Sequence, residues 1–402
     1  MAVNSLTFEQ VSTVLTSIVK QATNQTVLTP TDTASFVSVA QIALRANRDA
    51  VINAISDVLT RTIFSIRPYS AKLTGLEMDT FRWGGMMRKL SIADEDWQDD
   101  PAYAWPATYD AGQSPATGNG EAIDMWTIKK PNVLQTNFYG ASVYFDEMTI
   151  FEDQIETAFS GPEQLGSFLT LLMTNLSNRL EMSNEALRRG LVCNAIGAMQ
   201  AENNTERVIH LLTEYNGMTG ESFTAADVYK PENFGGFTKW MYARVAEISD
   251  LFTANSTMFQ TVITGKPILH HTPVEMQRIY MYSPLLRQME ARVLADTYHD
   301  SFLRYADVEA LPYWQSIKTR DTVKVTPVYT GTDGSVVTGQ AQTVENVVGL
   351  IFDQDAMGMT ILDRRVLSTP ENTKGLYRNL HVHAKQRVVY DSTEKCALLL
   401  LD

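Results

Sequence analysis

The 402 residues of this chain, 44% of them hydrophobic, suffice for two or three domains or for one domain with large insertions. A formal net charge of -13 argues against direct nucleic-acid binding, which depends on clustered Lys and Arg. The sequence has neither an apolar run of about 18 residues nor a signal-peptide pattern at its N-terminus, so we expect a protein that neither spans a membrane nor is conventionally secreted.

The chain begins with a helical region. Apolar residues recur at helical spacing between Thr33 and Ile66, as at Phe36, Val39 and Ile42. This pattern predicts two or three amphipathic helices that form an N-terminal arm over residues 1–68.

Residues 79–144 form the most unusual segment. They contain four of the six tryptophans but no sustained helical repeat, and every charged residue between Lys89 and Lys129 is acidic. Frequent Pro and Gly oppose regular structure there, whereas the residues after Lys130 alternate imperfectly between apolar and polar. We predict a long two-stranded ribbon with a basic stem and an irregular acidic tip.

An isolated two-stranded ribbon is marginal in water, so this one needs a surface to lie on. Another copy of the chain is the simplest support, although the aromatic residues could instead pack within their own subunit. The candidate intersubunit contacts are Arg82, Trp83, Arg88, Lys89, Asp94, Asp96, Trp97, Asp99, Asp100, Trp105, Trp126, Lys129 and Lys130.

A long helix is predicted after the ribbon. Ser160, Pro162 and Glu163 have the pattern of a capping box, and leucines follow at helical spacing. The helix can run to Gln200, over roughly 50 to 57 Å, unless a glycine at position 190 or 197 bends or ends it.

Residues 203–341 mix helices and strands and indicate an α+β domain of their own. Helical periodicity covers 234–252 and 284–298, and a hairpin is predicted from 323–329 to 336–337 across the Asp-Gly turn of 330–334. The closing segment predicts strands at 347–352, 359–366, 376–386 and 397–401. A helix followed much later by strands suggests one domain interrupted by another.

The two cysteines, Cys193 and Cys396, have apolar neighbours and lie far apart in the sequence. This suits small buried side chains in a reducing compartment and excludes a disulfide framework.

No motif predicts catalysis. His381 and His383 would share one strand face and could hold a metal with Asp353 and Asp355, but two surface histidines explain the pattern more simply. The adjacent histidines at 270 and 271 would point to opposite faces. Neither a Gly-x-Ser-x-Gly elbow nor a phosphate-binding loop occurs, and the acidic run of the tip is typical of a solvated surface. We predict no cofactor and no enzymatic activity.

The order of these elements resembles the major capsid protein of tailed bacteriophages, which has the Hong Kong 97-like fold. Two short segments are similar to the branch from small short-tailed phages: 131–133 at the return strand and 372–379 before the terminal strands. The closing stretch from 387–391 to 396–398 is similar to the final strand pair of the family. The resemblance covers nearly the whole chain.

The resemblance implies an α+β fold with four parts. Residues 1–68 would be an N-terminal helical arm and 69–145 an extended loop. Residues 146–202 and 346–402 would form a peripheral domain containing the spine helix, and 203–345 an inserted axial domain.

The resemblance also implies hexamers and pentamers of an icosahedral shell that encloses double-stranded DNA without sequence-specific binding. A separate scaffolding protein and a portal would be partners, with no membrane involved, and assembly in the host cytoplasm would place the chain in the virion. The alternatives are an encapsulin-like cellular compartment and, less favoured, an enzyme with an unrecognised metal site.

Overall fold

The computed structural model describes residues 8–23, 29–46, 72–78, 86–93, 126, 132–202, 204–263, 265, 267–292 and 307–402. Helices and strands together give the α+β class that the sequence predicts. The helices are α1 (Phe8–Thr23), α2 (Thr33–Ala46), α3 (Glu152–Ala158), α4 (Pro162–Glu202), α5 (Leu211–Thr219), α6 (Ala225–Val228), α7 (Pro231–Thr253) and α8 (Ser283–Arg292). The strands are β1 (Met86–Ala93), β2 (Asn132–Tyr139), β3 (Ser142–Phe151), β4 (Val208–His210), β5 (Gln277–Tyr282), β6 (Asp307–Leu311), β7 (Val323–Val325), β8 (Val328–Thr330), β9 (Val336–Thr338), β10 (Gln342–Val344), β11 (Val347–Asp353), β12 (Met357–Ser368), β13 (Tyr377–Tyr390) and β14 (Cys396–Leu400).

The two N-terminal helices pack against the rest of the subunit. Val11, Leu15 and Ile18 of α1 and Phe36 of α2 are buried in one cluster with residues of α4 and of a three-stranded sheet. Helix α2 confirms the predicted helical periodicity up to residue 46, and the predicted helix over 47–66 lies outside the described residues. Helix α1 precedes the periodic stretch and adds a second apolar face to this cluster.

Helix α4 runs unbroken for 41 residues, about 60 Å. Its predicted start is confirmed, but the predicted capping box is wrong, because the helix begins at Pro162 and Ser160 therefore lies one residue before the N-cap position. The Ser160 hydroxyl donates instead to the Thr157 carbonyl at 2.6 Å. Neither Gly190 nor Gly197 ends the helix. At Gly197 a β-carbon would collide with the side chain of Val325, so this glycine allows a neighbouring strand to approach closely.

The antiparallel sheet β12-β13-β3 covers one side of α4. Alternate residues of β13 point inward, so that Leu380 and Val382 join Leu172 and Leu176 of α4 in the core. On the other face, His381 and the other odd-numbered residues from 377 to 385 are half-exposed or exposed, whereas Arg387 and Val389 near the end of β13 are buried.

The five-stranded sheet β4-β14-β11-β5-β6 lies between α4 and α7. Strand β14 is buried on both faces, which explains its unbroken apolar sequence. Leu398 faces the cluster that contains Ile196 of α4, and Leu399 faces the cluster that contains Phe237 of α7. The sheet combines strands from the predicted axial segment 203–345 with strands from the predicted peripheral segment 346–402, and the domain boundaries stay predictions.

The four closing strands are confirmed as β11 to β14, and the hairpin is confirmed in part. Strand β8 pairs with β9 across the predicted Asp-Gly turn, where Gly334 has φ 83°. The prediction that the first strand of the hairpin begins at residue 323 is wrong, because residues 323–325 form a separate strand, β7, that pairs with β10. A proline lacks the N–H that a continuous strand ladder requires.

A buried arginine joins the end of α4 to the end of β13 and the start of β14. The Arg207 guanidinium contacts the Glu202 carboxylate and donates to Thr261 Oγ1 at 2.9 Å and Tyr390 Oη at 3.0 Å. Burial lowers the pKa of Arg207, but Tyr390 and Glu202 raise it by more, so the guanidinium stays charged. Arg207 therefore links the C-terminal end of α4, the loop at Thr261 and the C-terminal end of β13.

Both cysteines are buried and unpaired, as predicted. Burial raises the pKa of the Cys193 thiol to about 12, so this side chain behaves as a small apolar group.

Candidate functional site: a two-stranded ribbon and its anchors

The predicted ribbon is confirmed where the structure describes it. Strands β1 and β2 are antiparallel in continuous register from Met86↔Tyr139 to Ala93↔Asn132, over about 26 Å. Among the described residues, these two strands pair only with each other. Apart from Trp126, the tip over 94–131 lies outside the described residues.

The ribbon has two different faces, because side chains alternate along each strand. We call the exposed set the outward face; it consists of Arg88, Leu90, Ile92, Val133, Gln135 and Asn137. The half-buried set is the inward face; it consists of Met87, Lys89, Ser91, Leu134, Thr136 and Phe138. Leu90 is 59% exposed, Ile92 61% and Val133 45%, so the outward face is both apolar and open to solvent.

Lys89 on the inward face reaches the turn between β13 and β14. We call residues 391–395 the anchor turn. Lys89 Nζ lies 2.6 Å from Asp391 Oδ2 and 3.1 Å from Thr393 Oγ1, and it also contacts the Glu394 carboxylate. Burial lowers the pKa of Lys89, but Asp391 and Glu394 raise it by more, so the ammonium is charged in the folded chain.

Glu394 is held by two bases. Its second oxygen, Oε2, lies 3.0 Å from His270 Nδ1. Burial raises the pKa of Glu394, but the hydrogen bond from His270 and the charge of Lys89 lower it to about 2. The carboxylate is therefore ionised at any physiological pH and keeps its attraction for Lys89.

Residues 72–78, which precede the ribbon in the sequence, are fixed to α4. Arg188 is fully buried, contacts the Glu77 carboxylate and donates to the Lys72 carbonyl at 3.3 Å. The Met78 amide donates to the Met359 carbonyl at 2.9 Å, which ties this segment to β12 as well. Residues 72–78 are thus held by both α4 and the three-stranded sheet.

The segment that leaves the ribbon is fixed to β13. Gly140 has φ 95°, a conformation that favours glycine, and its carbonyl accepts a hydrogen bond from Arg387 Nε at 2.8 Å. This sharp turn leads from β2 directly into β3. Together with Lys89, it attaches the described part of the ribbon to its own subunit at two places.

Three of the candidate contact residues can be located. Arg88 lies on the outward face, Lys89 on the inward face, and Trp126 is 83% exposed. The others lie outside the described residues: Arg82, Trp83, Asp94, Asp96, Trp97, Asp99, Asp100, Trp105, Lys129 and Lys130. Whether any of them contacts another subunit stays a prediction.

The partners of the ribbon were not predictable from the sequence. Asp391 and Glu394 are about 300 residues from Lys89, and Arg188 lies in the middle of a long helix, so no local pattern relates these residues to the ribbon. The one available signal was a cluster of charges in a turn between two apolar strands.

The proposed metal ligands are not brought together. His381 and His383 flank the Phe145 ring on the three-stranded sheet, with ring centroids 5.1 and 5.2 Å apart. Asp353 lies at the end of β11 in the other sheet and accepts a hydrogen bond from Thr272 Oγ1 at 2.6 Å, while its neighbour Asp355 donates its amide to it. Within the described ranges, no group of three or more His, Cys, Asp or Glu side chains could hold a metal ion.

The described helices also include none that is long and apolar enough to cross a membrane. Gly235 and Gly236 lie inside α7, away from any strand-to-helix turn, and 331–334 form the turn of the β8–β9 hairpin. Neither group of glycines therefore lies in a turn that leads from a strand into a helix, where a phosphate-binding loop would be expected.

Solved structures with a similar fold come from bacteriophages. A chain in the capsid structure of Staphylococcus phage Andhra matches with a TM-score of 0.51 and 12% identity, over 85% of this chain and 86% of that one. A chain in the structure of the head fibre and inner core protein of native bacteriophage P68 matches with a TM-score of 0.50 and 10% identity, over 83% and 85%. The predicted Hong Kong 97-like capsid fold is confirmed at the level of the whole fold.

No curated protein sequence matches this chain. The model of one family, the Phi29-like phage major capsid protein, matches residues 15–400, almost the whole length. This agrees with the resemblance to short-tailed phages and does not favour the cellular-compartment alternative. The chain belongs to the family of Phi29-like phage major capsid proteins.

Proposed function

We propose that this major capsid protein assembles as hexamers and pentamers into a closed icosahedral shell, with each ribbon lying across a neighbouring subunit. The exposed apolar outward face of the ribbon is the observation that carries the proposal. Leu90, Ile92 and Val133 are 59%, 61% and 45% exposed on this one face, and a two-stranded ribbon is marginal in water unless it packs against another surface.

A neighbouring copy of the chain is the partner that explains this face. Burying one such side chain contributes about 1.5–3 kcal/mol, a modest amount for a single contact. In a closed shell every subunit repeats the contact, and multivalency turns modest pair affinities into a stable particle.

The charges of the ribbon would set the register of this contact. Arg88 is exposed on the outward face, and the tip between Lys89 and Lys129 contains only acidic charges. Opposite charges on adjacent copies favour one alignment over others while adding little affinity. We expect high salt to loosen assembly without unfolding the subunits, because screening acts mainly on exposed charges.

The test is to express Leu90→Asn/Ile92→Asn with the scaffolding protein and to count closed particles by electron microscopy. We expect the yield to fall about tenfold or more, because the apolar contact is lost at every subunit. The matched control, Leu90→Met/Ile92→Val, keeps the apolar area and should assemble normally. Circular dichroism should be the same for both variants.

Equal particle yields from these two variants would refute the role of the outward face. A variant lacking residues 94–124 tests the tip separately. Normal assembly of that deletion would show that the tip is dispensable, while leaving the stem contact intact.

The remaining partners follow from the same proposal. The chain would act as a structural protein without catalytic activity or a cofactor, together with a separate scaffolding protein and a portal, and would assemble in the host cytoplasm. Double-stranded DNA would fill the lumen without sequence-specific contacts, because a net charge of -13 disfavours strong phosphate binding. To test this, nucleic acid is extracted and quantified from purified phage particles and from particles assembled in an expression host. We expect double-stranded DNA in the phage particles and none in the others.

A further inference from the structure

Lys89 lies on the opposite face of the ribbon from its two neighbours in the sequence. Lys89 lies in the middle of β1, opposite Thr136 of β2, with its side chain on the inward face. Its neighbours Arg88 and Leu90 lie on the outward face. A contact that binds Lys89 to its own subunit therefore turns the inward face towards the subunit and leaves the outward face accessible to other molecules.

The anchor turn offers Lys89 a matching set of acceptors. A lysine ammonium has three N–H donors, and here it has three oxygen acceptors, on Asp391, Thr393 and Glu394. Asp391 Oδ1 in turn accepts hydrogen bonds from the Thr393 amide at 2.9 Å and the Thr393 hydroxyl at 2.6 Å, which fixes the threonine lone pairs towards Lys89. The site is preorganised by the turn itself.

The anchor turn is fixed to the core of the subunit. The Asp391 amide donates to the Ala356 carbonyl at 2.8 Å. At the other end of the turn, Lys395 is fully buried and donates to the carbonyls of Phe252 at 3.1 Å and Ala254 at 2.6 Å, at the C-terminus of α7. A ribbon attached here is therefore attached to a rigid part of the fold.

The charges around the site require a cation from the ribbon. Asp391 and Glu394 are both buried and acidic, and within the described part of the chain His270 forms an ion pair with Glu394 but not with Asp391. Lys395 points towards the end of α7, and Asp353 adds a further acid nearby. Without Lys89, two adjacent buried carboxylates would lose their shared counter-charge, which buried sites tolerate poorly.

We propose that Lys89 is a positioning residue that fastens the ribbon to the anchor turn of its own subunit, so that the outward face meets the neighbouring copy. This rests on the proposed function for the identity of the partner, a second copy of the chain. The sequence predicted that Lys89 contacts a neighbouring subunit, whereas this proposal assigns it a contact within its own subunit. Arg88 remains the stem base that faces outward.

Hydrogen exchange in the dilute, unassembled subunit tests the attachment directly. In Lys89→Met, amides of 86–93 and 132–139 should exchange about tenfold faster, the factor that corresponds to losing one charge-assisted contact. The matched control Arg88→Met removes the adjacent charge from the outward face, and its ribbon should exchange as in the parent. If Lys89→Met does not fold, Glu394→Gln keeps the lysine and should accelerate the same amides by a smaller factor.

Unchanged ribbon exchange in Lys89→Met, or in Glu394→Gln if that variant must be used, would overturn the proposal. Loss of assembly in Lys89→Met with unchanged exchange would overturn it in favour of a direct contact with a neighbour. Faster exchange in Lys89→Met combined with normal assembly of Leu90→Asn/Ile92→Asn would instead support the attachment and refute the proposed outward-face contact. The two proposals can therefore fail separately.

Discussion

Replacing Arg207 with methionine tests whether the junction between α4 and the closing strands holds the subunit together. The Arg207 side chain is 0% exposed and that of its partner Glu202 is 9% exposed. Methionine fills similar space without the charge, so any decrease in the free energy of unfolding measures the contribution of the polar contacts of Arg207. The hydroxyl groups of Thr261 and Tyr390 lose a donor at the same time.

The expected loss in the free energy of unfolding is about 3–5 kcal/mol, which is typical when one partner of a buried ion pair is removed. Most of this cost comes from the Glu202 carboxylate, which stays out of water with no cation beside it. A domain of ordinary stability has about 5–15 kcal/mol in total, so the variant should fold but unfold much more readily.

The assay is urea unfolding of the unassembled subunit, followed by circular dichroism. The midpoint should fall at an unchanged slope, since the surface exposed on unfolding is nearly the same. Arg179→Met is the matched control: its pair with Asp146 has side chains 50% and 30% exposed and should contribute only about 0–1 kcal/mol. A loss for Arg207→Met no larger than that of the control would refute the reasoning.

Two further changes test the anchor turn and the long helix. The pKa of Glu394 falls from about 4.5 to about 2 on folding, so its contribution is complete above pH 4.5 and is lost as the pH falls towards 2. Acid urea titrations should show a loss of about 3 kcal/mol that Glu394→Gln lacks, and parallel curves would contradict this. Gly197→Ala should cost about 1–3 kcal/mol because its β-carbon collides with Val325. Gly190→Ala, with open space around it, should gain about 0.5–1 kcal/mol in thermal unfolding, and a gain at both positions would contradict the packing role of Gly197.

Regular elements were predictable where one simple pattern determined them. Strand β14 is apolar throughout because both of its faces are covered, and α4 repeats leucines at helical spacing. The incorrect predictions concern residue types that can have more than one structural role. Gly197 was interpreted as a possible helix end, although its role is to let Val325 approach, and Pro327 was included in a strand that it interrupts.

The ribbon was predictable as an element but not as a site. Aromatic content, alternation and the acidic tip indicated two long strands that need a support. The pattern did not indicate that Lys89 and Arg88 have opposite environments, since both were simply bases of the stem. That difference depends on which face of the ribbon the subunit covers, and the covering residues lie in the last strands of the chain.

The anchor turn illustrates why such sites escape sequence patterns. The sequence from Asp391 to Lys395 has the composition of a solvated loop, yet none of the five residues is more than 6% exposed. They can be buried because each charge has a partner from another segment, such as Lys89 for Glu394 or the Ala254 carbonyl for Lys395. These partners are 305 and 141 residues away, so no local window of sequence contains both members of a pair. Apolar periodicity therefore determines which layers form, whereas long-range polar pairs determine how the ribbon, the inserted segment and the closing strands are joined.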